Sequence, residues 1–333
     1  MTVHLISVGL SVLKHLHDPS VKLADKPDLL SAIRDEKPDE LLAGLDKEPD
    51  AASGWLAAAL AGGSSGRETE PARRLREAAA AARPGLWPDD MSAEIQTCAR
   101  TDGTGYPLRD TDIVILICSH TPEGLLAGVW NALALTGGDR SCVRYFPEPG
   151  ELDGKVRGRT VLVRVTSMNA ADDQGFRQAM GGLGLLARRL FESRQLEKHE
   201  EFRFYLSGGF KAAVPYLIGL AEAVRSVDAD CLGDLGVRDI MPDDGPYPVT
   251  AFVRHETAGP RAPSIRLPLR RLDAGAVRYE LREFDQEGRR RGKPDGALLD
   301  GYAYECVRKK CTLTAFGEGL RQLFGDASGG FRQ

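Results

Sequence analysis

The chain has 333 residues, 44 Lys and Arg against 48 Asp and Glu, and a formal net charge of -4. That length suits one large domain with an addition, or two domains, and the mild acidity argues against a surface coated for duplex nucleic acid. Six scattered cysteines do not make a secreted disulfide framework. The apolar run at 3–13 lacks the basic flank and cleavage site of a signal peptide. No stretch approaches the ~20 apolar residues of a membrane span, so a cytoplasmic protein without membrane contact is expected.

Residues 3–8 read as a buried strand that ends in Ser7-Val8-Gly9-Leu10-Ser11, a small-residue turn into a helix starting near Val12. Ser11 suits a helix N-cap, the commonest role for such a serine. From about 19 to 90 the chain is rich in Ala, Glu, Asp, Arg and Leu at helical spacing, with a break at Ala-Gly-Gly-Ser-Ser-Gly, 61–66. This is a helical insertion between the first two core strands, its charges a solvated face. Met91-Ser92-Ala93-Glu94-Ile95 opens another helix with Ser92 as cap, and Asp102-Gly103-Thr104-Gly105 is a loop.

Residues 112–118, DIVILIC, form a continuous β-branched run, the mark of a parallel strand buried on both faces. Cys118 and Cys142 sit in or beside apolar strands, where free thiols pack well. Ser119-His120-Thr121-Pro122 turns into an apolar helix reaching about Leu135, with Pro122 in its tolerated first turn. Short strands at 142–146 and 160–165 follow, then an amphipathic helix at 176–191. Residues 202–206 form the next strand, closed by Ser207-Gly208-Gly209-Phe210-Lys211 and a mostly apolar helix. Two glycines let the backbone turn sharply and approach a ligand. The helix start adds N–H groups and a positive dipole end, a setting that suits phosphate oxygens.

Strands alternating with helices imply a doubly wound, Rossmann-like α/β fold with a mostly parallel sheet. Ligands of such sheets collect at the carboxyl ends of the strands. Three polar turns fall there: Gly9 to Ser11, Ser119 to Thr121, and Ser207 to Lys211. Beyond Val227 the pattern changes. Residues 249–254 and 264–269 read as a hairpin, 276–284 as strand or helix, and Arg289 to Lys293 as a charged turn. A second hairpin is expected at 302–306 and 311–313, a closing helix at 316–324, and a loose tail. Cys306 and Cys311 could be half of a metal site, but no second pair follows, so no metal is expected. From Gly236 onward positive charges exceed negative by roughly three.

HLISVGLSVL at 4–13, MSAEI at 91–95, VILICSHTPEG at 114–124 and FYLSGGFKAAVPYL at 204–217 together resemble the CARF (CRISPR-associated Rossmann fold) domains of type III CRISPR ancillary proteins. The likeness is to the subgroup that includes the ring nucleases, and it spans about 1–272, with His255-Glu256 and Ile265 to Pro268 included. Residues 273–333 would then be a small C-terminal α+β appendage, winged-helix-like or an effector. The resemblance implies a homodimer binding a cyclic oligoadenylate across its twofold axis, with no cofactor. It assigns phosphate contact to Lys211 and the N–H groups near Gly208 and Gly209, with Ser207 and Phe210 of the same turn also at the ligand. Ser11, beside Gly9, would meet ribose or the reactive phosphate, with Ser119 and Thr121 on the rim. His120 stands where relatives usually carry an acid. In ring nucleases the ribose 2′-OH attacks the neighbouring phosphate without metal, so Ser11 and Lys211 are the catalytic candidates; His4 and His120 suit structural roles.

Two further readings stay open. In one, the C-terminal part is the output and acts on RNA, ribosomes or DNA, in keeping with its arginines between Arg266 and Lys293. Arg194 to His199 has the spacing of a HEPN ribonuclease motif, but it precedes a core strand of the ligand domain. In the other, the chain is an ordinary dinucleotide enzyme, which the absence of Gly-x-Gly-x-x-Gly after the first strand disfavours.

Overall fold

The computed structural model describes residues 2–18, 20–21, 27–45, 47–60, 68–82, 87, 89–101, 111–153, 156–168, 172–193, 196, 200–209, 211–243, 245–254 and 262–325. The stretch 61–66, the loop 102–105, Phe210, His255-Glu256, all of 194–199 but Leu196, and the tail beyond 325 lie outside the described residues.

The main sheet has seven strands: β1 (Thr2–Ser7), β2 (Ile113–Ser119), β3 (Val143–Phe146), β4 (Arg159–Val165), β5 (Glu201–Tyr205), β6 (Val249–Val253) and β7 (Ile265–Leu267). Their order is β3-β4-β2-β1-β5-β6-β7. Neighbours are parallel except β6 and β7, which are antiparallel. β2 is buried at every residue from Ile113 to Cys118, as its unbroken apolar run requires. Each fully buried Val, Leu or Ile contributes about 1.5–3 kcal/mol, against about 1 net for a hydrogen bond. Burial on both faces therefore outweighs the ladder in holding the centre of the sheet.

The helices are α1 (Ser11–His17), α2 (Pro27–Asp35), α3 (Pro38–Leu41), α4 (Pro49–Leu60), α5 (Glu70–Ala81), α6 (Ala93–Thr101), α7 (Pro122–Leu135), α8 (Asp173–Glu192), α9 (Val214–Arg225), α10 (Ala229–Asp234), α11 (Ala274–Leu281) and α12 (Ala315–Phe324). Ile6, Leu116, Leu162 and Tyr205 share one core with α1, α2 and α4 to α7. Leu5, Ile115, Val163 and Phe204 share the other with α8, α9, α11 and α12. The protein is thus α/β and Rossmann-like, its mostly parallel sheet covered on both faces. Helices α2 to α5 fall between β1 and β2, where the composition of 19–90 places a helical excursion.

The segment 276–284, open between strand and helix in the sequence, is helical in α11. Arg289–Arg291, expected as a turn, is instead strand β8, which joins β9 (Tyr304–Val307) and β10 (Lys310–Leu313) in a sheet of order β8-β10-β9. The reason is register. Arg290 pairs with Cys311 and turns inward to an ion pair with Glu283, leaving Arg289 and Arg291 outward. Cys306 and Cys311 face each other across β9 and β10 and form a disulfide.

Helix α12 lies on α8 at glycine contacts. A Cβ at Gly184 would strike the carbonyl of Gly319, and Phe316 fills the space beside Gly219 of α9. Leu320, Leu323 and Phe324 join the same core as Leu183 and Leu186, so one core continues from the main sheet to the second. Among the described residues no helix is long and apolar enough to cross a membrane.

Gly184→Ala is expected to cost about 1–3 kcal/mol or more, because backbone cannot yield to the added methyl. Gly54→Ala, on α4 with nothing within 4 Å of the added carbon, is expected to gain up to about 1 kcal/mol from helix propensity. Urea denaturation midpoints of the two variants check both signs.

Candidate functional site

The chain leaves β1 for β2 on one side and later returns to β5 on the other. The carboxyl ends of β1 and β5 therefore flank the switch point of the sheet, where open α/β folds bind ligands. Two of the three polar turns meet there. A Cβ at Gly9 would lie 2.5 Å from the Gly209 nitrogen, and one at Gly208 would lie 2.5 Å from the Ser7 carbonyl. The turns thus pack backbone on backbone, which only residues without a side chain allow. Gly209 has φ of +89°, a left-handed conformation that favours glycine. Ser7 Oγ donates to the Gly208 carbonyl at 2.6 Å and fastens one turn to the other.

Consecutive Cα atoms are about 3.8 Å apart, so Ser11 and Lys211, two residues beyond Gly9 and Gly209, each lie within roughly 7.6 Å of this contact. Lys211 is exposed and opens a 3-10 turn leading into α9. Among the described residues, the N–H groups of Gly208 and Gly209 take no hydrogen-bond acceptor. Phe210 lies outside the described residues.

A third segment enters from α6. Glu94 is only 1 % exposed. Its carboxylate accepts from the Gly9 N–H and, at 2.9 Å, from Ser11 Oγ. Ser11 Oγ in turn accepts from the Ala93 N–H at 3.0 Å. Ser11 is therefore not the N-cap of α1: that position is Leu10, with no side-chain cap, and the Ser11 hydroxyl turns to α6 instead. Sequence reasoning placed MSAEI at a helix start but gave Glu94 no part. An acid in a first helical turn reads as a dipole partner, and its burial follows from β1 alone. Ser92 does cap α6, accepting from the Ile95 N–H at 3.0 Å.

Ser207 faces into the fold. Its hydroxyl accepts from the Arg254 N–H at 2.8 Å and lies 2.6 Å from Thr97 Oγ1, tying the ends of β5 and β6 to α6. At the end of β2, Thr121 caps α7, accepting from the Gly124 N–H at 2.9 Å, with Ser119 Oγ 3.2 Å from it. His120 Nδ1 lies 3.2 Å from Arg164 Nη1. A guanidinium cannot accept, so Nδ1 is the acceptor and the neutral ring carries its proton on Nε2. Arg164, 7 % exposed, also donates to Asp50 at 2.7 Å and to the Pro147 carbonyl at 2.9 Å. His4 lies away from this edge, between Asp112 and Tyr205.

A cleft of about 680 Å³ opens between α9 and the second sheet, lined by Tyr216, Glu222, Arg270, Tyr302 and Glu305 among others. Glu222, 3 % exposed, accepts from Arg270 Nε and Nη2 and from Tyr302 OH, each at 2.9 Å. Burial alone would raise its pKa, but the hydrogen bonds from Arg270 and Tyr302 outweigh it and hold the carboxyl below its ordinary value. Among the described residues, no group of three or more His, Cys, Asp or Glu is placed to hold a metal ion.

No protein-family model matches the chain, and no curated protein matches it.

Arg270→Ala leaves Glu222 buried with Tyr302 OH as its remaining side-chain donor, and is expected to cost about 1–2 kcal/mol near neutral pH; the exposure of Arg270 keeps the figure low. A depressed carboxyl stabilises the fold above its unfolded value, about 4.3, and loses that contribution as pH falls through the folded value. The gap between wild type and variant is therefore expected to close below about pH 4, as urea unfolding at a series of pH values would show.

Proposed function

We propose that the protein is a cyclic oligoadenylate sensor of type III CRISPR antiviral defence, built on a CARF domain and acting as a cytoplasmic homodimer. Cyclic tetra-adenylate is the ring it is proposed to take. One observation carries this reading: the Gly9 and Gly208-Gly209 turns touch at the switch point, where the Gly208 and Gly209 N–H groups have no acceptor among the described residues and Lys211 follows two residues on. Such a corner suits phosphate oxygens. A twofold axis would set two copies of it around one ring, since an isologous interface repeats the same patch. Ser119, His120 and Thr121 would line the rim, with His120 offering its Nε2–H as a donor.

The reaction we assign is ring cleavage by the ligand's own ribose. The 2′-oxygen bonds to the adjacent phosphorus and the P–O5′ bond breaks. The 2′-OH proton passes to water, and O5′ takes a proton from water. The product ends in a 2′,3′-cyclic phosphate and a 5′-hydroxyl. Holding the attacking oxygen in line lowers the entropic cost, which we assign to Ser11. The cation of Lys211 would offset charge on the phosphorane.

A second reading has support in the exposed basic face of the second sheet, where Arg291 pairs with Lys310 and Arg308 and Lys309 form the turn. There the C-terminal part would act on RNA or ribosomes once the ring binds. Ring-dependent RNA cleavage by the full chain would favour it.

The test is to titrate the purified protein with cyclic tri-, tetra- and hexa-adenylate by calorimetry and to read products by mass. Wild type is expected to bind the tetra-adenylate ring and convert it to linear products. Lys211→Ala is expected to weaken binding by about tenfold or more, as loss of a charge-assisted contact requires, and Lys211→Glu to abolish it. Undiminished affinity of both variants for every ring would end this reading.

A further inference from the structure

Ser11 has one hydroxyl proton and two lone pairs to place. The proton goes to Glu94 Oε2 at 2.9 Å, and one lone pair receives the Ala93 N–H at 3.0 Å. A single lone pair remains for a ligand. Glu94 cannot release the proton cheaply, because it is buried and its other oxygen is taken by the Gly9 N–H. Ser11 is thus an acceptor at this site and not a donor.

Phosphate oxygens are acceptors as well, so Ser11 is mismatched to them. A ribose hydroxyl can donate as well as accept, and as a donor it fits. In a 3′,5′-linked ring the free hydroxyl of each ribose is the 2′-OH. We propose that Glu94 is a positioning residue that fixes Ser11 as the acceptor for a ribose 2′-hydroxyl, so that the site selects ribo over 2′-deoxy rings. This rests on the cyclic oligoadenylate reading above and adds to it the group that Ser11 meets. Phosphates fall to the Gly208 and Gly209 amides and Lys211, which are all donors. The two ends of the corner then read different parts of each nucleotide.

Glu94→Gln separates shape from polarity. The Gly9 N–H is backbone and can only donate, so it draws the amide oxygen of the new side chain. The amide NH₂ then faces Ser11 and donates to it. Ser11 loses its acceptor partner, and its proton turns outward to the ligand. The variant keeps the size of the side chain and inverts what the hydroxyl offers.

The experiment measures the affinity of wild type, Glu94→Gln and Ser11→Ala for cyclic tetra-adenylate and for the same ring with 2′-deoxyriboses or with 2′-O-methyl riboses, whose 2′-oxygen can only accept, folding being checked by circular dichroism. Wild type is expected to prefer the ribo ring by about tenfold or more, since a site built to accept a hydroxyl rejects its absence. Ser11→Ala is expected to reduce that preference to less than about threefold, and Glu94→Gln, whose outward proton a 2′-oxygen can accept, is expected instead to narrow the preference for the ribo over the 2′-O-methyl ring by about threefold or more relative to wild type. Should Glu94→Gln fail to fold, Ser11→Ala alone decides, since Ser11 is only half-buried. Equal affinity of wild type for the two rings overturns this inference and leaves the sensor reading standing. So does full ribo-over-deoxy preference in Ser11→Ala, or an unchanged ribo-over-2′-O-methyl preference in a folded Glu94→Gln. Failure of wild type to bind either ring removes both.

Discussion

The buried carboxylate of Glu94 is the point on which the carboxyl edge of the sheet depends. A carboxylate taken out of water is costly unless its oxygens are hydrogen-bonded. Here one oxygen is met by the Gly9 N–H and the other by Ser11 Oγ. The same side chain presses on Gly208, where any Cβ would collide with it. It therefore joins three segments far apart in sequence: the end of β1, the start of α6 and the end of β5. The helices between β1 and β2 acquire a purpose in this arrangement, because α6 is the last of them. From α6, Thr97 extends the same tie to Ser207, and its carbonyl accepts from Ser264 at 3.0 Å. One helix thus closes the ends of β1, β5 and β6.

Helix α9 carries this edge to the rest of the molecule. It starts just after the turn that opens with Lys211, and its third turn holds Glu222, which is bonded to Arg270 and Tyr302. Phe316 of α12 seats against Gly219 on the same helix. The second sheet and α12 are therefore fixed on elements that begin at the switch point. The close approach of α8 and α12 at Gly184 and Gly319 permits this, because bulkier residues would hold the helices further apart.

The strands were legible because parallel strands buried on both faces must be apolar without interruption, and DIVILIC is. The two glycine junctions were legible as sharp turns, and their shared place at the switch point followed from the alternation of strands and helices. What could not be read was their contact, which depends on β1 and β5 being neighbours. Glu94 was hidden for a related reason. On its own helix it is an ordinary first-turn acid, and only the Gly9 amide makes it a buried ligand of the backbone. Ser11 misled in the opposite direction: a local cap was outcompeted by the Ala93 N–H from a distant segment. Arg164 sits among valines in β4, and nothing local indicates that Asp50, over a hundred residues earlier, would meet it. Arg289–Arg291 read as a turn because three arginines suggest solvent. Pairing with β10 decided otherwise.

A carboxylate beside an anion site needs a balance of charge. Two unit charges about 7 Å apart at an effective dielectric near 20 interact by about 2.4 kcal/mol. A phosphate held near Gly208 would face a repulsion of that order from Glu94. Two amides donating to a charged phosphate return about 1.5–3 kcal/mol each in net terms, which offsets that repulsion. A cation at similar range adds a further favourable term of about equal size. Lys211 is the positive charge that the turn carries. The glycines let the backbone come close, and the lysine two residues on strengthens the pull of the corner on an anion. Glu94 then orients Ser11 without forbidding the ligand, because the amides and the lysine outweigh its repulsion.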